Sequence, residues 1–292
     1  MSSPLLRTLI VTVIIVILAS ALAFAGSANG QQISDIPIFA LCVFLAFAIN
    51  WVVYVPAMLN QTEKYFDLTG AISNITVPLV AVLLSPVKDT RSWLLFVLIA
   101  IWAGRLGIFL FQRIQTAGHD TRFEEIKKNP FRFFITWSLQ GLWVSFTLAA
   151  ALAAITAVER RPLGVWAILG LLVWLAGFAI EVAADRQKSR FRQEAANQDK
   201  FIQSGLWAWS RHPNYFGEIV LWIGIAIIAL PVLSGWQWGT LISPLFVIVL
   251  LTRISGIPLL EAKADKKWGG EPAYEVYKTQ TPVLIPRPPR RP

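Results

Sequence analysis

The chain is short of the residues that soluble folds and metal centres need. Of its 292 residues, one is cysteine and two are histidine. An intramolecular disulfide is therefore excluded, and the soft ligands for a structural zinc site are too few, so no metal is expected. Charged residues make up only 15%, where a soluble domain carries about 25%. Acidic residues number 17 against 26 basic ones, a formal net charge of +9. In a soluble protein that excess would suggest nucleic acid, but membrane proteins also concentrate Lys and Arg in the loops of one side. What fills the chain instead is 55% hydrophobic residues, 13 of them tryptophan, with a mean hydropathy of +0.58. A water-soluble globular protein is excluded, and nucleic acid is not an expected partner.

A helix needs roughly 20 mostly apolar residues to cross the hydrocarbon core. Eight runs qualify or nearly do: 5–26, 37–59, 70–86, 92–112, 133–157, 163–184, 214–233 and 238–260. Pro37, Pro162 and Pro213 stand near three starts, where a missing backbone N–H costs little. Connections are short and no repeat is visible, so the expected fold is all-α, a polytopic membrane bundle of seven to eight transmembrane helices. The expected division is an N-terminal transmembrane helix and loop (1–36), a bundle domain (37–286) and a disordered basic tail (287–292). The first run has two readings. It is either a retained span or a secretory signal, since Arg7, an apolar stretch and Ala23-Phe24-Ala25 also fit a cleavage site. With alternating sidedness, 20 Lys and Arg fall on one face against four on the other. That asymmetry places the long loops 113–132 and 185–213 in the cytoplasm, and an integral protein of a bacterial inner membrane is expected.

Ionisable and amide side chains at membrane depth are costly and therefore informative. Arg105, Glu181, Glu218 and Arg253 fall in or at the ends of spans, as do Asn50, Asn74, Gln140 and Asn214. Pairing across helices would account for any one of them; together they suggest a polar cavity toward the basic loops. Glu181, Asp185 and Arg192 share one helical face if the sixth helix continues beyond the membrane. Taken alone, the basic cluster after residue 185 would equally be a headgroup-facing surface.

The segment Gly205 to Glu218, G-L-W-A-W-S-R-H-P-N-Y-F-G-E, carries the most chemistry. Arg211 and His212 precede Pro213, which suits a first helical turn, and a helix N-terminus with a nearby arginine can take a phosphate. Asn214 and Glu218 are four apart and face one way. Gly217 permits close approach of a backbone or a flat ligand. An interfacial aromatic belt would explain Trp207, Trp209 and Tyr215 but not Glu218.

That segment resembles the signature of the integral-membrane steroid and sterol reductases, and in particular the bacterial branch of the steroid 5α-reductase family, long described as a domain of unknown function. The likeness runs from about Asp67 to Pro286. It includes Leu139-Gln140-Gly141, Asp185 with Arg192, the run above, Trp268-Gly269, Tyr274, Tyr277 and Leu284-Ile285-Pro286. Gly-His-Asp-Thr-Arg-Phe at 118–123 is similar to the bacterial form of its loop. The resemblance implies NADPH-dependent reduction of a C=C bond conjugated to a carbonyl, in a steroid-like or other apolar lipid entering from the bilayer. It implies cofactor contacts at Arg105, Asp185, Arg192, Asn214 and Glu218, and at Arg211, His212 and Tyr215 of the R-H-P-N-Y element. Asp120 and Arg122 of the bacterial-type loop are further candidates. Where the eukaryotic enzymes polarise the substrate carbonyl with Glu and Tyr, the nearest counterparts here are Asp67 and Trp102. Asp67 is thus the catalytic candidate, with Tyr65 as substitute and Glu218 a candidate in both roles.

Two other functions compete. The R-H-P-N-Y element, Glu261 and the Tyr274/Tyr277 pair also look like the S-adenosylmethionine-dependent isoprenylcysteine and phospholipid methyltransferases. A non-catalytic lipid-binding or transport protein is the third.

Overall fold

The structure is a computed structural model that describes residues 4–117, 120 and 123–289. Among them, eight helices are long and apolar enough to cross a membrane, and the only strands are two residues each. The chain is an integral membrane protein of the all-α class. It divides into two compact units, 1–167 with 228–243, and 168–227 with 244–292.

Unit one contains α1 (Pro4–Ser27), α2 (Ile38–Leu59), α3 (Phe66–Leu84), α4 (Thr90–Ala117) and α5 (Pro130–Thr156). The last is its axis. Its most apolar stretch is 89% buried, while the other four bury 17–39% and leave the rest for lipid. The reason is side-chain size: Ala149–Ala151 and Ala153–Ala154 are fully buried, and small residues let membrane helices approach closely. Asn129 caps α5 by accepting the Arg132 N–H at 3.1 Å, with Pro130 in the first turn.

At one end of this unit Gln31, nearly buried, holds three connections together. Its Nε2 donates to the Ala157 carbonyl at 2.8 Å, its Oε1 accepts from Val87 N at 3.0 Å, and its own N–H donates to Thr156 O at 2.6 Å. The adjoining hairpin, β1 (Gln32–Ile33) against β2 (Ile36–Pro37), turns through Ser34 and Asp35, both with positive φ, as a two-residue hairpin turn requires. At the opposite end Glu63 in the α2–α3 loop takes the Asp120 N–H at 2.9 Å and the Lys127 ammonium at 2.7 Å. Phe123 then packs on Phe66, 4.9 Å between ring centroids, and Phe66 on Trp137 at 5.1 Å.

Unit two holds most of α6 (Val165–Gln193), most of α7 (Pro213–Ala229), most of α8 (Ile242–Val249), and then α9 (Ile257–Trp268) and α10 (Pro272–Gln280). Helix α6 continues to Gln193, well past the expected membrane run, which meets the condition for Glu181, Asp185 and Arg192 to share a face. The eighth span departs from expectation, because it is not one helix. A 3₁₀ stretch Gly235–Leu241 leads into α8, a π-helical turn follows at Leu250–Ile254, and the chain restarts as α9 after Gly256. Two facts explain the break. Pro258 sits in the first turn of α9, and a Cβ on Gly256 would lie 2.5 Å from the Leu251 carbonyl oxygen. The backbone must fold back there, and only glycine leaves room.

Candidate functional site

In unit two, α6 and α7 meet through glycines. A Cβ on Gly217 would stand 2.6 Å from both the Glu181 N and the Gly177 O, and one on Gly224 would stand 2.6 Å from Trp174 N and 2.7 Å from Gly170 O. Gly217 therefore serves a backbone, and the flat-ligand alternative does not apply to it. This approach fixes the start of α7 against the part of α6 that carries Glu181 and Asp185, both buried.

The chain between the two helices is pinned from both sides. Gly205 has φ +60°, a conformation suited to glycine, and the turn after it is held by Gln187 Oε1, which accepts the Leu206 N–H at 2.9 Å. Trp207 donates its indole N–H to the Ala184 carbonyl at 3.0 Å, and the Lys188 ammonium lies 4.1 Å from its ring centroid. From the other side, Tyr277 donates to the Trp207 carbonyl at 2.8 Å, Arg211 N donates to Pro282 O, and Arg287 N donates to Trp209 O, each at 2.9 Å. Ser210 Oγ reaches the Leu284 carbonyl at 2.8 Å. The segment around 281–287 is thus a strap over the motif, and the chain is held as far as Arg287.

What this scaffold positions is a three-residue centre. Glu261 of α9 accepts Arg211 NH1 at 2.5 Å on one oxygen and His212 Nε2 at 2.7 Å on the other. The His212 ring stacks on Tyr215 at 5.7 Å and 10°. Burial pushes the imidazole below the usual histidine range, and Lys188 and Arg211 push the same way. The Glu261 carboxylate opposes them without overcoming them. A neutral imidazole that donates from Nε2 leaves Nδ1 as an acceptor. That atom and Arg211 Nε are both buried without a hydrogen-bond partner. Burial likewise raises the Tyr277 phenol, which stays protonated as the donor to Trp207 O.

Arg211, read from the sequence as a phosphate-binding arginine beside the α7 N-terminus, has its guanidinium paired with Glu261. Asn214, Tyr215 and Glu218 are half-buried on the first turns of α7, Asp185 is buried, and Arg192 has emerged into the open at the end of α6. Tyr65, Asp67, Arg105 and Asp120 belong to unit one. Asp67 is half-buried in the first turn of α3, Tyr65 is half exposed just before it, and Trp102 is buried. Arg122 lies outside the described residues. Of the span-embedded polar residues, Asn50 and Asn74 turn back onto their own helices, donating to Ala46 O and Gly70 O. Gln140 Nε2 crosses to Phe66 O at 2.9 Å, and Arg253 is exposed.

Two residues that hold these segments in place escaped the sequence. Glu63, which binds the Asp120 amide and the Lys127 ammonium, sits in a short connection with no motif around it. Burial works to raise its carboxyl, but the Lys127 hydrogen bond and the Asp120 amide together hold it below the usual range. Gln187 is on the helix face away from Asp185 and gave no signal.

The fold and this centre define a polytopic membrane protein with a polar site built where a loop enters a span. The chain belongs to the family described as Protein of unknown function (DUF1295), which matches residues 50–281. It is similar to 3-oxo-5-alpha-steroid 4-dehydrogenase 1 of Rattus norvegicus, 30% identical over 120 residues, 41% of this chain and 40% of that protein. Steroid 5-alpha-reductase DET2 of Gossypium hirsutum is 29% identical over 129 residues, 44% and 45% of the two chains. The Delta(14)-sterol reductase of Methylotuvimicrobium alcaliphilum is 25% identical over 213 residues, 68% of this chain and 43% of that one. The chain thus spans about two fifths of the length of such relatives. No solved structure matches it significantly.

Proposed function

We propose that this protein is a membrane reductase that uses NADPH to reduce a C=C bond conjugated to a carbonyl in an apolar, steroid-like lipid, with its basic loops in the cytoplasm of a bacterial inner membrane. The observation that carries the proposal is that relatives aligned over different lengths of the chain bear steroid- or sterol-reducing names. The centre in unit two has the chemistry for a dinucleotide. His212 Nδ1 offers an acceptor and Arg211 Nε a donor, both buried and unmatched by protein, a pair that suits a hydroxyl or a carboxamide. Tyr215 and His212 present stacked rings. Arg105, Asp120, Asp185, Arg192, Asn214, Tyr215 and Glu218 are the further residues assigned to hold the cofactor.

Bound there, NADPH supplies a hydride. The protein's part is to bind and orient, to keep water out, and to stabilise the negative charge that builds on the substrate's carbonyl oxygen. One well-placed donor is worth about 3–4 kcal/mol of barrier. Asp67 is assigned that role, which needs a protonated carboxyl. Asp67→Ala is expected to lower turnover about 10²–10³-fold while NADPH affinity stays the same. Equal loss of both would remove Asp67 from catalysis.

The primary test is a thermal-shift titration of the detergent-purified protein with NADPH, NADH and S-adenosylmethionine. NADPH is expected to stabilise, by about 2.7 kcal/mol at a hundredfold excess over Kd. Asp185→Ala and Arg192→Ala should each raise that Kd about tenfold, as loss of a charged hydrogen bond does. A shift with S-adenosylmethionine alone would establish a methyltransferase instead.

A further inference from the structure

At the end of unit one where Gln31 gathers the connections, a cavity of about 280 Å³ is lined by Asp89, Arg91, Arg160 and Arg161 together with Thr90, Pro162 and Leu163. This is the sparsely charged face of the sequence, yet three of the four Lys and Arg that face carries converge on one cavity. Arg91 is 1% exposed, and its guanidinium donates only to backbone carbonyls: Ile228 O at 2.9 Å, Pro162 O at 3.0 Å and Arg161 O at 3.2 Å. Arg160 reaches Asp89 at 3.4 Å, and Arg161 pairs with Glu159 at 2.5 Å. The carboxylates thus pair with the second and third arginines, while the buried first one hydrogen-bonds to carbonyls and has Asp89 only as a neighbouring charge. A buried charge without a hydrogen-bonded counter-ion is costly.

Three polar atoms around the cavity are buried without a partner: Arg91 Nε, Arg160 Nε and Asp89 Oδ2. Two are donors on cations and one is an acceptor on a carboxylate. We infer that this cavity is a binding site for a phosphate group that carries a neighbouring hydrogen-bond donor. The phosphate oxygens answer the two guanidinium groups, and the adjacent hydroxyl or ammonium answers Asp89. That chemistry is shared by phospholipid headgroups and by hydrogen phosphate in solution. The cavity opens where α4 begins and just before α6, at the boundary of two membrane runs, the depth at which headgroups lie.

The test uses the full chain in detergent and follows melting temperature against three probes: dioctanoyl phosphatidylglycerol, dioctanoylglycerol and inorganic phosphate. Stabilisation by phosphatidylglycerol, with none by dioctanoylglycerol, is expected. If inorganic phosphate acts equally, the site stands and its source is the solution. Arg160→Gln should raise the half-saturating concentration about tenfold. Because Arg160 also ties backbone carbonyls, Arg161→Gln, whose side chain is 60% exposed, serves as the variant that keeps the fold, with an expected weakening of about threefold. Equal effects of dioctanoylglycerol and phosphatidylglycerol, or half-saturation unmoved in both folded variants, would overturn the inference.

Discussion

Gly217→Ala is expected to destabilise the protein by about 3 kcal/mol, the upper part of the range for overpacking a tight contact. The new methyl would sit 2.6 Å from two backbone atoms of α6, the Glu181 N and the Gly177 O. Neither can swing aside as a side chain would, so the helices themselves must part. The same clash recurs one heptad away at Gly224, and separation at one glycine loosens the other. Gly177→Ala attacks the same contact from the other helix, where a Cβ would lie 2.5 Å from Leu221 N. The double variant should therefore cost less than the two singles combined, since each already opens the gap. Gly104→Ala is the control: nothing lies within 4 Å of its added methyl, and helix propensity alone predicts a gain of up to about 1 kcal/mol. Thermal melts of the four variants in one detergent check the series. A Gly217→Ala protein that melts with the parent would mean that the two helices do not pack as described.

How much of this was legible in the sequence differs by residue. Length and apolarity gave all eight spans, six of them to within a few residues at both ends, because crossing a membrane imposes one length on every helix; the sixth and eighth run on to Gln193 and Trp268. Pro213 marked the start of α7 for a local reason, the fixed φ that suits a first turn, and the structure begins that helix there. The break at Gly256 was hidden: hydropathy stays high across it, and the reason for it is a carbonyl of the preceding π turn that no window statistic sees. Glu63 was invisible because its partners lie 57 and 64 positions on. Glu261 was legible as a residue of interest but not in its role. Sequence tied it to a competing family likeness, whereas the structure spends both of its oxygens on Arg211 and His212, about 50 positions earlier. Periodicity carries contacts within a helix; contacts between distant segments need the fold.

That carboxylate supports the second large prediction. Glu261→Ala leaves the Arg211 guanidinium, 12% exposed, without its counter-charge and the His212 Nε2–H without its acceptor. Removing one member of a fully buried pair costs about 3–5 kcal/mol. Partial exposure of the glutamate, 22%, lets water recover some of that, so about 2 kcal/mol is expected. Glu261→Gln separates charge from geometry. An amide still accepts one hydrogen bond but cannot neutralise Arg211, so a loss close to that of alanine assigns the effect to charge, and recovery of most of the stability assigns it to hydrogen bonding. The effect should also depend on pH. His212 is held neutral by burial, so its contribution is present above the ordinary histidine range and is lost as pH falls through it. Glu261 pulls that pKa upward against Lys188, Arg211 and burial. Without the carboxylate the folded form resists protonation more strongly, and the loss extends to lower pH. The stability gap between parent and Glu261→Ala should accordingly be wider at pH 5 than at pH 7.5, read from melts at the two values. A gap that stays constant or narrows would mean that His212 does not titrate against Glu261, and that the centre is an Arg211–Glu261 pair with the imidazole only as a neighbour.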